Sequence, residues 1–261
     1  PGSVGPDRRG RRLCVEAPIV RAQEARDLGE RIAALVQRGQ VPQAYELLAP
    51  VLAERTPFDT LRRIGAPVGR LQLNEVDPFL DLIATDKTEG GWVVISRVLQ
   101  AQLDRELPAA FVRCHDFIIA GDVWYATDTL GEGVPGQALV GHFQPALELL
   151  APWREDDNAW VRRAVGVAVH FWAKRSRGVA EQTARAAELL NLLEPMFEEW
   201  DMRAVKGVGW GLKTLGKYYP NLVSGWLPEQ TSRRHRALML RKALTYLSDE
   251  QRVRIRGEED L

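Results

Sequence analysis

The chain has 261 residues, of which 45% are hydrophobic and 27% charged, so it can bury a core in one elongated domain or two compact ones. Its 35 Lys and Arg balance 35 Asp and Glu, which disfavours a nucleic-acid binder that depends on overall positive charge. No apolar run reaches the ~18 residues of a membrane span, and two cysteines are too few for a disulfide framework. We therefore predict a cytoplasmic protein that does not contact membranes.

The charge is unevenly distributed along the chain. Residues 1–150 carry 16 basic and 20 acidic side chains, whereas residues 151–261 carry 19 and 15. Between Arg203 and Arg256, 12 basic residues face only 3 acidic ones. This local excess predicts either a surface that binds phosphates or a solvated face of exposed helices.

The two ends of the chain differ in composition from the rest. Residues 1–16 are basic but have no apolar stretch, so we predict a flexible tail and not a secretion signal. Residues 258–261 predict an acidic tail. Between them we predict a single domain over residues 17–257.

In the first half of the chain, apolar residues recur at helical spacing. Residues 20–38 and 43–55 predict an antiparallel helical hairpin. A short helix within an irregular connector is predicted at residues 56–65. Further helices are predicted to begin at Asp77-Pro78, at Trp92 and at Pro108.

The second half continues the same pattern. Trp124 begins a short predicted helix that the glycines of residues 131–136 end, and Asn158 is a good N-cap for a later one. The remaining helices are predicted at residues 137–150, 159–174, 180–199, 202–219, 232–247 and 249–254. No alternation of Val and Ile indicates a sheet, so the prediction is all-α. Two-helix units of ~35–45 residues favour an α-solenoid over a closed bundle.

A tryptophan followed one helical turn later by a charged residue occurs three times. The pairs are Trp124 with Asp128, Trp160 with Arg163, and Trp210 with Lys213. Residues three or four apart share a helix face. The tryptophans are separated by about 36 and 50 residues, close to the ~40–47-residue period of HEAT repeats. We therefore predict an α-solenoid of HEAT-like antiparallel helix pairs whose concave surface carries all three pairs.

Other conspicuous residues are predicted to be structural. Five further tryptophans are assigned to the core and to helix interfaces: Trp92, Trp153, Trp172, Trp200 and Trp226. Gly207 and Gly209 lie within a helical pattern, so they indicate tight helix packing and not a phosphate loop. The histidines and cysteines lack ligand spacing, so no metal and no cofactor are predicted.

Three motifs of the chain together resemble the AlkD-type DNA alkylation-repair family. They are Trp124-x-x-x-Asp128, Asn158-x-Trp160-x-Arg162-Arg163 and Lys206-x-x-Gly209-Trp210. The resemblance extends from Phe58 to Leu247. It implies HEAT-like repeats and removal of alkylated purines from double-stranded DNA by a monomer.

The resemblance also implies roles for individual residues. Asp128 matches the family's catalytic aspartate, and Trp124 and Trp210 match aromatic residues that contact the backbone of the lesion. Arg163 matches the arginine that grips a phosphate, with Arg162 as the alternative if the alignment slips by one residue. The other implied DNA contacts are Trp160, Lys206 and Lys213. Lys213 stands where several relatives have arginine, which leaves the substrate range open.

The implied reaction has a plain chemical basis. Alkylation at N3 or N7 makes a purine cationic, so the base leaves readily and the sugar becomes oxocarbenium-like. One carboxylate stabilises that charge and positions water. The chain is therefore predicted to be a monofunctional DNA glycosylase for N3- or N7-alkylated purines, methylated or bulkier. Two alternatives remain open: a HEAT-like DNA-binding or scaffold protein without efficient catalysis, and a protein–protein scaffold.

Overall fold

The computed structural model describes residues 22–256, and within this range every regular element is a helix. Roughly every second helix along the chain packs against the next one of the same set, and together these helices form one layer. This first layer comprises α1 (Ala22–Gln37), α3 (Phe58–Val68), α5 (Glu89–Gln100), α7 (Trp124–Gly131), α10 (Ala159–Ser176), α12 (Met202–Tyr218) and α14 (Ala237–Ala243).

The intervening helices form a second layer behind the first. It comprises α2 (Val41–Ala53), α4 (Leu73–Thr85), α6 (Leu107–Gly121), α9 (Phe143–Leu150), α11 (Thr183–Leu193), α13 (Pro220–Thr231) and α15 (Asp249–Arg256). A π-helical segment (Glu132–Gly136) and the short α8 (Gln137–Gly141) continue from α7. The predicted all-α, solenoid-like architecture is confirmed.

Side chains at the helix starts explain several boundaries. The Asn158 Oδ1 accepts a hydrogen bond of 2.8 Å from the Trp160 amide at the start of α10. Asp201 caps α12 in the same way, through the amide of Arg203. These side chains satisfy amides that have no partner within the helix, and so they set where each helix begins.

A continuous apolar core lies between the layers, from Ala25 in α1 to Ile255 in α15. The prediction of one domain over residues 17–257 stays a prediction, and residues 17–21 and 257 lie outside the described range, as do the predicted tails and Cys14. No helix of residues 22–256 has the length and apolarity needed to cross a membrane.

Several predicted boundaries were wrong. Among them, the helix predicted to begin at Trp92 begins at Glu89, and those predicted over residues 180–199 and 232–247 are shorter, at Thr183–Leu193 and Ala237–Ala243. Residues 58–68 form a full helix whose Leu61 and Ile64 are buried, instead of a short piece of connector. The next helix begins at Leu73, ahead of Asp77-Pro78, because Gln72 and Glu75 form a capping box there. Pro220 begins α13, a helix that was not predicted, since the prediction has only the end of a helix at residue 219.

The segment after Asp128 also differs from its prediction. The glycines of residues 131–136 do not end the helix, since the π-helical segment passes the chain on to α8. The predicted helix over residues 137–150 is instead broken at His142, whose backbone φ of −134° is not helical.

Candidate functional site

The start of α7 places Trp124 and Asp128 on one helix face. Asp122 ends α6 with a left-handed backbone, φ 49°, and the extended Val123 then leads into α7. Trp124 is the first residue of α7 and is 57% exposed, an unusual position for so large an apolar side chain. Asp128 follows one turn later, only partly exposed.

The carboxylate of Asp128 forms a two-pronged ion pair with Arg163 of α10. The Arg163 Nε donates to Asp128 Oδ1 at 2.7 Å, and Nη2 donates to Oδ2 at 2.8 Å. The two side chains are only 17% and 9% exposed. Parallel N–H···O bonds of this kind fix the plane and the direction of the carboxylate.

Several contacts hold Arg163 in this position. Its Nη1 donates to the carbonyl of Arg203 at 3.1 Å. Its backbone and Cγ pack directly on Gly207, where any side chain would collide with them. Most of the Arg163 guanidinium is therefore occupied. The predicted phosphate contact of Arg163 stays a prediction, and the geometry adds an ion pair that the sequence did not indicate.

Arg162, the alternative to Arg163, points elsewhere. Its Nε donates to Glu199 Oε2 at 2.6 Å and its Nη1 to the carbonyl of Asp156 at 2.6 Å. These bonds tie the start of α10 to the loop before α12. The arrangement makes Arg163, and not Arg162, the partner of Asp128.

Trp160 links the start of α10 to the connection between α6 and α7. Its indole Nε1 donates to Asp122 Oδ1 at 2.7 Å, across from the start of α7. The guanidinium carbons of Arg163 and Arg203 lie 5.9 and 5.6 Å from the centroid of its ring. Trp160 thus lies within 6 Å of two cations, which is the range of cation–π attraction.

Trp210 of α12 stacks on a buried histidine. The centroids of its ring and that of His170 are 3.7 Å apart, with planes inclined by 23°. Burial, followed by the charges of Lys174 and Lys213, lowers the pKa of His170 to about 4, so the imidazole is neutral at pH 7. The Thr214 hydroxyl donates to the Trp210 carbonyl and therefore accepts from His170 Nδ1, at 2.7 Å.

Lysines lie beside Trp210 on the first layer. Lys206 is exposed, and Lys213 lies with its Nζ 5.4 Å from the centroid of the Tyr246 ring. Lys242 of α14, which the sequence interpretation missed, completes the group. Burial lowers the pKa of Lys242 most, and the positive charges of Lys213 and Arg163 lower it further. The helices α12 and α14 thus contribute cations to one region.

A cavity of about 520 Å³ opens beside Asp128. Its charged lining residues are Arg62, Arg97, Asp128, Glu132, Lys174 and Arg175. Apart from Asp128, none was singled out from the sequence, because they come from α3, α5, the π-helical segment and the end of α10. Burial raises the pKa of Glu132, Lys174 opposes that rise, and Asp128 adds to it.

Of the five tryptophans assigned to structure, four are in packed positions. Trp92, Trp153 and Trp172 are buried, and Trp226 packs partly buried against the core. Trp200 was predicted wrongly, since it is 43% exposed. The guanidinium carbons of Arg234 and Arg236 lie 4.2 and 4.0 Å from its ring centroid, so this indole supports two arginines at the surface.

Sequence comparison adds one match to this geometry. The family model described as DNA alkylation repair enzyme matches residues 62–247, about seven tenths of the chain. The matched segment contains Trp124, Asp128, Arg163 and Trp210. No curated protein matches the chain with significant similarity.

Proposed function

Since the chain belongs to the DNA alkylation repair enzyme family, we propose that it is a monofunctional DNA glycosylase. Its substrates are cationic N3- or N7-alkylated purines in double-stranded DNA, either methylated or bulkier, and it acts as a monomer. The observation that supports this proposal best is the carboxylate of Asp128, held in a fixed orientation between the exposed Trp124 and a group of cations.

The proposed reaction is a hydrolysis at C1′ of the damaged nucleotide. The bond between C1′ and the purine nitrogen breaks, and its electron pair neutralises the cationic base. Water oxygen forms a bond to C1′ and releases a proton. Because the leaving base is neutral once it departs, no general acid is needed, and the barrier lies in the positive charge that develops on the sugar.

Asp128 is the proposed stabiliser of that charge. Each of its oxygens accepts one hydrogen bond from Arg163 and keeps further lone pairs for water and for electrostatic contact with the sugar. The ion pair weakens the field of the carboxylate, but it also removes the need to reorient the group during the reaction. Preorganised groups of this kind contribute most to electrostatic catalysis.

The neighbouring residues have proposed roles in holding DNA. Trp124 and Trp210 present indole rings to the lesion's deoxyribose, where cation–π attraction favours the charged sugar. The other proposed DNA contacts are Trp160, Arg163, Lys206 and Lys213. Lys206 and Lys213 suit phosphates because they have no carboxylate partner among the described residues.

The test is single-turnover release of 7-methylguanine from a duplex oligonucleotide by wild type and by Asp128→Asn. We expect the variant to be slower by ~10²–10³-fold, as for the loss of other electrostatic stabilisers. Asp116→Asn, in an exposed carboxylate of α6, is the control and is expected to match wild type. Thermal unfolding of each variant confirms that it is folded.

Equal release by wild type and Asp128→Asn would reject the role of Asp128. One observation favours the alternative of a DNA-binding scaffold without efficient catalysis, namely that Arg163 already pairs with both oxygens of Asp128. That alternative predicts DNA binding without release of 7-methylguanine, 3-methyladenine or any larger adduct. A protein–protein scaffold predicts no DNA binding.

A further inference from the structure

The cavity beside Asp128 is a distinct feature of the first layer. Residues of α3 and α5 line one side, and residues of the π-helical segment and the end of α10 line the other. Asp128 itself forms part of the wall, so whatever occupies the cavity lies next to the proposed reaction centre. Its volume of about 520 Å³ is ample for a charged group together with water.

Four cations line this cavity without carboxylate partners. Within residues 22–256, Arg62, Arg97, Lys174 and Arg175 form no ion pair at 4.0 Å or less. Arg97 has a neutral hydrogen-bond partner, since its Nη1 donates to Gln100 Oε1 at 3.2 Å. Burial and the nearby charge of Arg62 both lower the pKa of Arg97, which shows that these two cations repel each other.

Aromatic rings hold two of these cations at the rim. The guanidinium carbon of Arg62 lies 6.0 Å from the ring centroid of Phe58, and that of Arg175 lies 5.0 Å from the centroid of Phe171. Such contacts limit the conformations of long side chains without neutralising their charge. Both arginines are therefore held in place, and their charge remains available to a ligand.

The carboxylates of the cavity do not balance the cations. The ion pair with Arg163 offsets much of the charge of Asp128. That leaves Glu132, a single carboxylate against four cations, and burial already disfavours its charged form. The cavity is therefore positive, and it repels a cationic alkylpurine. It attracts an anion, and forked guanidinium groups match phosphate especially well.

We propose that this cavity is a phosphate subsite, occupied by backbone phosphates of the DNA strand beside the nucleotide whose sugar lies at Asp128. This inference rests on the proposed function. It follows that the alkylated base lies outside the cavity and that the first half of the chain, through α3 and α5, contributes to DNA binding. Glu132 limits the affinity, because its carboxylate faces the same space as the phosphates.

The test uses fluorescence anisotropy with an undamaged duplex between 50 and 200 mM NaCl. Each phosphate contact lowers affinity about 3.5-fold over this range. The double variant Arg62→Gln/Lys174→Gln lacks two of these contacts. Between 50 and 200 mM NaCl, its affinity is therefore expected to fall about tenfold less than that of wild type. Glu132→Gln is expected to bind DNA more tightly than wild type. Arg254→Gln, in an exposed arginine of α15, is the control and keeps the wild-type slope.

Arg97→Gln checks the same site from its buried side. Circular dichroism verifies that this variant is folded. Its slope of log affinity against log salt concentration is expected to be shallower than that of wild type, by the contribution of about one phosphate contact. Since Arg62 and Lys174 are exposed, the double variant is expected to fold even if Arg97→Gln does not. A wild-type slope in both folded variants would overturn the proposal.

Three further outcomes separate the possible ligands. Unchanged binding of undamaged DNA, with lost preference for alkylated DNA, would place the base in the cavity and reject the phosphate subsite. Thermal protection of wild type by inorganic phosphate but not by sodium chloride, with an unchanged DNA slope in the double variant, would indicate free phosphate as the ligand. Wild type that neither binds DNA nor releases 7-methylguanine would reject the proposed function itself.

Discussion

The stack of Trp210 on His170 depends on the imidazole remaining uncharged. His170 is 7% exposed, and Lys174 and Lys213 on α10 and α12 oppose its protonation. Glu132 of the π-helical segment faces the other ring nitrogen, with its Oε1 3.8 Å from Nε2. A neutral ring leaves the π-electrons of Trp210 available to a positive sugar, whereas a stacked imidazolium would compete for them.

The lowered pKa of His170 predicts a loss of stability in acid. Between the folded pKa of about 4 and the unfolded value of ~6.5, the unfolded chain binds more protons than the folded one. The free energy of unfolding should therefore fall as the pH drops from ~6.5 towards ~4, by about 3 kcal/mol in all. Urea unfolding at pH 7 and pH 4.5 measures this change.

His170→Gln is the control for this pH effect, because it retains a polar side chain but cannot titrate. Its loss of stability between pH 7 and pH 4.5 should be clearly smaller than that of wild type. Identical losses would show that other groups account for the acid sensitivity. Subtracting the two curves also removes most of the contribution of Glu132, whose raised pKa acts in the opposite direction.

At the scale of elements, the close crossing of α10 and α12 assembles the site. Gly166 of α10 packs on the backbone of Gly207 in α12. A Cβ atom on Gly207 would lie 2.5 Å from the carbonyl oxygen of Arg163 and 2.6 Å from its Cγ. The missing side chains therefore let α12 approach the residue that orients Asp128.

Gly207→Ala is predicted to separate these helices. Overpacking of a close contact typically costs ~1–3 kcal/mol, and here the strain falls on Arg163. We expect both a lower unfolding free energy and slower release of alkylpurine. Gly225→Ala in α13, where a Cβ meets nothing within 4 Å, should instead stabilise the helix by up to ~1 kcal/mol. A Gly207→Ala variant as stable as wild type would contradict this account.

Local signals in the sequence predicted some elements better than others. Pro108 and Asn158 do lie at helix starts, because the preference of each residue for that position depends only on the backbone within one turn. The tight packing expected of Gly207 is confirmed. Pro220 was ambiguous, because the same residue type ends one helix and begins another. The glycines after Asp128 also misled, since the packing of Gly131 on Val167 and of Gly136 on Phe171 keeps them helical.

The candidate site was only partly visible in the sequence. Helical spacing placed Trp124 beside Asp128, a relation that lies within one turn. The bond between Asp128 and Arg163 joins residues 35 positions apart, so no spacing rule indicates it. The cavity cations come from three separate elements, and each has an ordinary surface pattern on its own. Only their packing shows that they face one space.

For the whole molecule, the placement of charge matters more than its sum. The chain is formally neutral, with 35 basic and 35 acidic residues. In the second layer, Asp77, Asp81 and Asp116 all pair with Arg113. Within residues 22–256, the cations of the cavity and those in the region of Lys206, Lys213 and Lys242 have no carboxylate partner.

This distribution predicts that DNA spans both regions, so a change at the second should weaken binding as well. Lys206→Gln/Lys213→Gln should lower the affinity for undamaged and alkylated duplexes by the same factor, because phosphate contacts are independent of the base. The single-turnover rate of the bound complex should remain close to wild type. Anisotropy titrations with matched duplexes measure the first quantity, and base release at saturating enzyme measures the second. A selective loss for alkylated DNA would mean that these lysines contact the lesion and not the flanking backbone.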